Sequence, residues 1–267
     1  MIEREPIDRA LASVEPALRR ALGRAIEGEE LDFEDGLAVA TSRGFALGVV
    51  AAVADHCRRR DVGDVVTYVV NRNINFTNVC IKHCTFCAFS REFRAEEGYF
   101  LPIEEVVRRA REAWDYGATE VCIQAGLPPK MDGSLYVDLC KALKRELPDL
   151  HIHAFSPEEV LYGSVRSGMS IPAYVAELKA AGLGTIPGTS AEVLVQEVRD
   201  RIAPGRITRD QWIEVITSAH AVGLPTSSTI MYGHIETRRH WIEHLALLRD
   251  LQRQTGGFTE FVPLSFI

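Results

Sequence analysis

Three thiols stand close together in the run Cys80-Ile81-Lys82-His83-Cys84-Thr85-Phe86-Cys87, at C-x3-C-x2-C spacing, just after the strand-like stretch 73–78. Cysteine thiolates are the usual ligands of iron–sulfur clusters. Three of them folded back on one another fit three irons of a [4Fe–4S] cube. The fourth iron is then left open, much as a catalytic zinc site keeps one position free. An open iron is a place for a substrate or cofactor. Two plainer readings compete with this one. A zinc knuckle wants four ligands, usually as two spaced pairs, and here only His83 offers itself as the fourth. Simple buried thiols are the other. Ligand count and spacing favour the cluster.

Such a loop needs a rigid support, and the chain supplies one by alternating two periods. Residues 65–70 are β-branched and strand-like, and 73–78 read as the strand that leads into the cysteines. After the loop, Ile103, Val106, Val107, Ala110, Ala113 and Trp114 form a helical stripe that starts behind Pro102 and stops at Gly117. Strand patterns follow at 120–124, 150–155, 184–187, 225–231 and 258–262, with helices expected at 135–147, 192–201, 209–222 and 241–251. Ser156-Pro157-Glu158-Glu159 opens another helix with a capping-box pattern. About six strand–helix units with short connections imply parallel strands and right-handed crossovers. The expected class is therefore α/β, a partial (β/α)6 barrel of the TIM type. In such barrels the chemistry gathers at the C-terminal ends of the strands. The cysteine loop lies at the end of the first.

Residues 1–62 read as an N-terminal helical segment, with Leu11, Leu18 and Leu22 on one stripe and an apolar run over 47–53 on another. The barrel is expected over 63–267, ending just past its sixth strand. An uncovered last strand would invite pairing with other chains and weaken or abolish turnover.

Composition narrows the classes. The 267 residues are 46% hydrophobic and 25% charged, with a formal net charge of -7. No basic footprint for nucleic acid is present. Met1-Ile2-Glu3-Arg4-Glu5-Pro6 lacks a signal pattern, and the longest apolar run, 44–54, is too short to span a bilayer. Six cysteines in a long chain without a signal sequence point to free thiols, hence a reducing cytoplasm. Cys140 shares an apolar helical face with Tyr136, Leu139, Leu143 and Leu147 and reads as packing.

Other residues at strand ends each carry two readings. Gln124-Ala125-Gly126 is either a close-approach turn toward a ligand or an ordinary strand exit. His151 and His153 alternate on one strand and so face one side. There they orient a polar substrate or are satisfied within the protein. Glu192 could hold a ligand, but Thr189-x-x-Glu192 also fits a capping box, and Ser156 is an N-cap by the same logic. Gly182-x-Gly184-x-x-x-Gly188 fails as a dinucleotide fingerprint because Pro187 takes the third glycine position. His240 and His244 fail as a zinc-protease pair because Trp241 stands where the glutamate belongs.

The cysteine spacing, with Phe86 just before the last thiol, resembles the radical S-adenosylmethionine (SAM) superfamily. Within it, five runs together resemble the CofH family, the second subunit of FO synthase: residues 68–80, His151-Ile152-His153-Ala154-Phe155-Ser156-Pro157, Pro187-Gly188-Thr189-x-Ala191-Glu192, Met231-Tyr232-Gly233-His234 and residues 257–264. The menaquinone-pathway relatives, dehypoxanthine futalosine cyclase and aminofutalosine synthase, share the cysteine loop but usually lack the Phe-Thr-Glu-Phe-Val run. The resemblance implies that Cys80, Cys84 and Cys87 hold a [4Fe–4S] cluster. It places SAM beside Phe86, Gln124, Gly126, Ser156 and Glu192, with Ala125 standing where relatives usually carry a glycine. It further implies that a one-electron reductant drives SAM to methionine and a 5'-deoxyadenosyl radical. That radical cleaves L-tyrosine, whose 4-hydroxybenzyl fragment adds to 5-amino-6-(D-ribitylamino)uracil. A CofG-type partner then closes the deazaflavin ring in coenzyme F(420) biosynthesis. A carbon radical must be kept from stray hydrogen donors, so the family implies a closed site. The competing classes are a plain iron–sulfur carrier, which needs a fourth cluster ligand, and an inactive truncated homologue.

Overall fold

Five short parallel strands carry the site, and the computed structural model describes them within residues 4–267. They are β1 (Asn71–Ile74), β2 (Glu120–Ile123), β3 (His151–Ala154), β4 (Thr226–Tyr232) and β5 (Phe258–Ser265). β1, β2 and β3 pair in that order, and β4 pairs with β5. Single parallel bridges, His153 with Thr185 and Ile186 with Thr226, connect the two sheets. The result is a parallel wall of the partial-barrel type, with crossover helices along it.

The chain divides into two compact units. One takes Met1–Tyr68 with Thr237–Ala246, and the other takes Val69–Glu236 with Leu247–Ile267. The first is built from α1 (Arg4–Ala12), α2 (Pro16–Ile26), α3 (Phe33–Ala40) and α4 (Phe45–Val62), together with the start of α11 (Arg238–Thr255). Leu11, Leu18 and Leu22 are buried together with Val14, Val49 and Val53. Asp32 caps α3 and exchanges hydrogen bonds with Asp35 in a capping box.

In the second unit α5 (Ile103–Asp115), α6 (Leu135–Glu146), α7 (Pro157–Ser167), α8 (Ile171–Ala180), α9 (Gln196–Ile202) and α10 (Arg209–Ala221) occupy the crossovers. Val121, Ile123, Ile152 and Ala154 point from the strands into the helical layer. There they meet Val106 and Ala110 of α5 and Leu139, Cys140 and Leu143 of α6. Cys140 is fully buried, as expected of a packing residue, and burial pushes its thiol up to about 12. The strand period of two sends the alternate residues to the other face. That face carries Asn71, Glu120 and His151 on one rung and Asn73, Cys122 and His153 on the next. Among the described residues no helix is long and apolar enough to cross a membrane.

Three expectations change. Residues 65–70 form no strand, and Val66 and Tyr68 are 89% and 88% exposed. β-branched residues favour a pleated, half-buried surface, and without a partner strand that preference has nothing to act on. The strand expected at 184–187 shrinks to the two bridges, because Pro187 offers no N–H to extend a ladder. The lead strand lies at 71–74 rather than 73–78. Beyond Ile74 the backbone bends, and Phe76 O accepts from Leu101 N–H across the loop at 2.7 Å.

Candidate active site

The cysteine loop is tied down on three sides. Cys80 N–H donates to Arg91 O at 3.1 Å, and Ile81 N–H donates to Leu127 O at 2.9 Å, just past the β2 exit. Thr85 donates twice to Ile202 O, from its N–H at 3.0 Å and its hydroxyl at 2.9 Å. That carbonyl ends α9, where helix carbonyls lack internal partners. Asn78 braces the flank, its amide donating to Glu97 O and its Oδ1 accepting from Tyr99 N–H, both at 2.9 Å.

Gly126 explains how the β2 exit comes so near. Its N–H donates to Thr77 O at 2.9 Å, and a Cβ there would stand 2.3 Å from Val79 O. Only a residue without a side chain fits between strand exit and cysteine loop.

Cys80, Cys84 and Cys87, all free thiols, line one cavity of about 130 Å³ together with Phe86, Gly126 and Arg206. Among the described residues no three His, Cys, Asp or Glu side chains converge as a single-ion site. Three soft thiolates with no fourth protein donor among them suit a cluster with one open iron. A second, larger cavity of about 520 Å³ shares Phe86, Ser156, Glu159 and Arg206 with the first. It adds Gln124, Glu192, Met231, Leu264 and Phe266. Phe86, Gln124, Ser156 and Glu192 thus come together around one space, and Gly126 lies on its thiol side.

Arg206, which the sequence did not single out, is the hub. Its guanidinium donates to Glu158 Oε2 at 3.0 Å, to Glu192 Oε1 at 2.6 Å, to Ser190 Oγ at 2.6 Å and to Cys84 Sγ at 3.6 Å. Burial would weaken its hold on its proton, but Glu192 and Glu158 more than offset this and raise its pKa. Burial also pushes the Cys84 thiol up, while Arg206 beside it pulls the other way. Glu158 completes the clasp by accepting from Ile207 N–H at 2.7 Å and pairing with Lys82 at 3.4 Å. Nothing in the turn Pro204-Gly205-Arg206 announces this. It joins the cysteine loop only through the fold.

Glu192 departs from its expected setting. No helix begins there, since α9 starts at Gln196, so Thr189-x-x-Glu192 is not a capping box. Ser190 and Glu192 instead take positive φ, 60° and 43°, in the left-handed region. Such backbone in non-glycine residues is strained and held by its surroundings. Here it turns the Glu192 carboxylate onto Arg206. Thr189 uses its hydroxyl on Gln124 Oε1, at 2.8 Å.

Ser156 is the expected N-cap of α7, in a capping box with Glu159. Glu159 does more. Its Oε2 accepts from Ser156 N–H at 2.7 Å and from Ser156 Oγ at 2.6 Å, while its Oε1 accepts from Ala125 N–H at 2.9 Å. One buried carboxyl therefore joins the exits of β2 and β3. Burial outweighs these donors and pushes Glu159 up to about 7. A folded pKa above the unfolded one means that the native chain keeps a proton which the unfolded chain releases. Stability from this group is full below about pH 4.5 and declines as pH rises, until it is lost above about 7. Denaturation midpoints measured from pH 5 to 8 are expected to fall for the parent chain and to lose that slope in Glu159→Gln. Equal slopes would refute the assignment.

His151 and His153 do face one side, and they meet at the Thr185 hydroxyl rather than on the wall of either cavity.

Residues 74–248 match the Radical SAM superfamily. The chain is 53% identical over 234 residues to the FO synthase of Mycobacterium leprae, covering 88% of this chain and 27% of that protein. It is 49% identical over 217 residues to the 5-amino-6-(D-ribitylamino)uracil--L-tyrosine 4-hydroxyphenyl transferase of Methanocaldococcus jannaschii, covering 80% of this chain and 60% of that one. It thus spans less than two thirds of either relative. Among solved structures, HydG, a maturase of the [FeFe]-hydrogenase, shares the fold at 16% identity, with a TM-score of 0.72 over 99% of this chain and 58% of that one.

Proposed function

This chain belongs to the radical SAM superfamily, and from that premise we propose that it transfers the 4-hydroxybenzyl group of L-tyrosine to 5-amino-6-(D-ribitylamino)uracil. The near-half identity to a protein named for that transfer carries the reading. Cys80, Cys84 and Cys87 would hold three irons of a [4Fe–4S] cluster, leaving the fourth to SAM. When bound, cluster and SAM supply a carbon radical that abstracts hydrogen, which is chemistry no side chain offers.

The chain's own residues do the rest. SAM is a sulfonium with an amino and a carboxylate group, and the cavity beside the thiols offers partners for both. Glu192 suits the ammonium and Arg206 the carboxylate, since both line that space, paired with one another at 2.6 Å. Gln124, Ser156 and the backbone around Ala125 and Gly126 add neutral donors and acceptors. Phe86 stands between the two cavities and lines both. Met231, Leu264 and Phe266 give the larger one an apolar side suited to an aromatic ring. Its volume of about 520 Å³ lies in the ordinary range for small-molecule sites. Substrate filling this space would exclude water and competing hydrogen donors. A one-electron reductant, and a CofG-type enzyme to take the product, complete the proposed scheme.

Protein reconstituted without oxygen is expected to carry about four irons per chain. It should form 5'-deoxyadenosine only when tyrosine is present, and a tyrosine–uracil adduct when both substrates are supplied. Turnover of dehypoxanthine futalosine in their place would reassign the chain, and SAM cleavage indifferent to tyrosine would end the reading.

A further inference from the structure

On the inward face of the barrel, at the end of the strands away from the cysteines, two imidazoles share one hydroxyl. His153 Nδ1 lies 2.7 Å from Thr185 Oγ1, and His151 Nε2 lies 2.9 Å from the same oxygen. Glu120 Oε2 is 3.8 Å from that His151 nitrogen, and Asn71 Nδ2 donates to Glu120 Oε1 at 3.2 Å. The His151 ring lies against Gly184, where a Cβ would come within 2.4 Å of Cε1, and its side chain is 41% exposed. His153 shares a rung with Cys122, one inward position below Gln124, which lines the larger cavity.

A hydroxyl has a single proton. If Thr185 donates to one ring it must accept from the other, so the two imidazoles hold complementary states. We propose that His153, Thr185 and His151 form a proton relay from the barrel lumen toward Glu120 at the far end of the strands. In one passage the His153 Nδ1–H bond breaks as a Thr185 O–H bond forms. The old O–H bond then breaks as His151 Nε2–H forms. One proton has moved from ring to ring, and the hydroxyl is unchanged.

The need for such a path rests on the proposed transfer. Adding a benzyl radical to the aminouracil makes one carbon–carbon bond and leaves an unpaired electron. Giving that electron back to the one-electron donor of the proposed scheme and breaking one N–H bond of the ring amine would leave a closed-shell product and one proton to export. The charged and titratable groups facing the relay are Glu120 and Cys122 from β2, Glu260 from β5 and the two histidines of β3. Burial lowers the His153 pKa, and Glu120 and Glu260 oppose it.

The test uses the whole folded chain with nitrogen-15-labelled histidine, in parent, Thr185→Val and Thr185→Ser forms. The parent rings are expected to titrate as a coupled pair. Thr185→Val should split them into two independent titrations, and Thr185→Ser should keep the coupling. With tyrosine and the aminouracil supplied, Thr185→Val should form product roughly tenfold to a hundredfold more slowly, and Thr185→Ser near the parent rate. Independent titrations in the parent overturn the relay, and so does a Thr185→Val chain that forms product at the parent rate. Coupled titration in a parent that consumes neither substrate would leave the relay standing and remove the proposed transfer.

Discussion

Arg206→Met is expected to lower folding stability by about 3–5 kcal/mol, the usual consequence of removing one partner from a buried ionic group. The guanidinium is 13% exposed, and the carboxylates it separates, Glu158 and Glu192, are 6% and 9% exposed. Methionine fills similar volume without charge, which takes the ion-pair partner from Glu192 and leaves Glu158 with Lys82. Ser190 and Cys84 lose the same donor. Arg206→Lys should fall between, because one ammonium cannot span the partners that the guanidinium reaches. Denaturant midpoints and iron content after reconstitution would measure both effects. If the loss comes from unpaired charge, adding Glu192→Gln to Arg206→Met should recover part of it. A methionine variant as stable as the parent would show that the triad does not hold the loop.

Gly126→Ala should cost about a hundredfold in turnover, the scale expected when reacting groups are misplaced by about an ångström. The added methyl would meet Val79 O at 2.3 Å, and backbone cannot swing aside as a flexible side chain can. Either the β2 exit or the approach to Cys80 must move, and the thiols move with it. Iron per chain, alkylation rates of the three thiols and turnover would be compared with the parent. Gly23→Ala is a fair control, since a Cβ there meets nothing within 4 Å. Parent-like turnover in Gly126→Ala would mean that the two segments tolerate separation.

The sequence made the barrel legible because strand and helix periods alternate cleanly, and the thiol loop because its spacing is local. Ser156 and Cys140 were readable for the same reason, one from a four-residue capping pattern and the other from a helical stripe. Arg206 was not. It reaches Cys84 across 122 positions, and a loop arginine after Pro-Gly looks like any surface turn. Glu192 misled because a capping pattern is only permissive. The backbone turned left-handed at that point, and the helix began four residues later. Residues 65–70 misled because strand propensity needs a neighbour to express it.

The thinnest part of the wall is at Thr185 and Ile186, which link β3 to β4 by single bridges. Elsewhere whole ladders resist a change of curvature. Here a few bonds carry the link, among them Gly184 N–H and Thr185 N–H to Ile152 O, Ile186 N–H to Pro225 O and Ser227 N–H to Ile186 O. The enclosure therefore has a crease. What the missing ladder would supply is taken over by side chains beside it, Ser227 Oγ accepting from Gly188 N–H and Thr229 donating to Gly188 O, both at 2.9 Å.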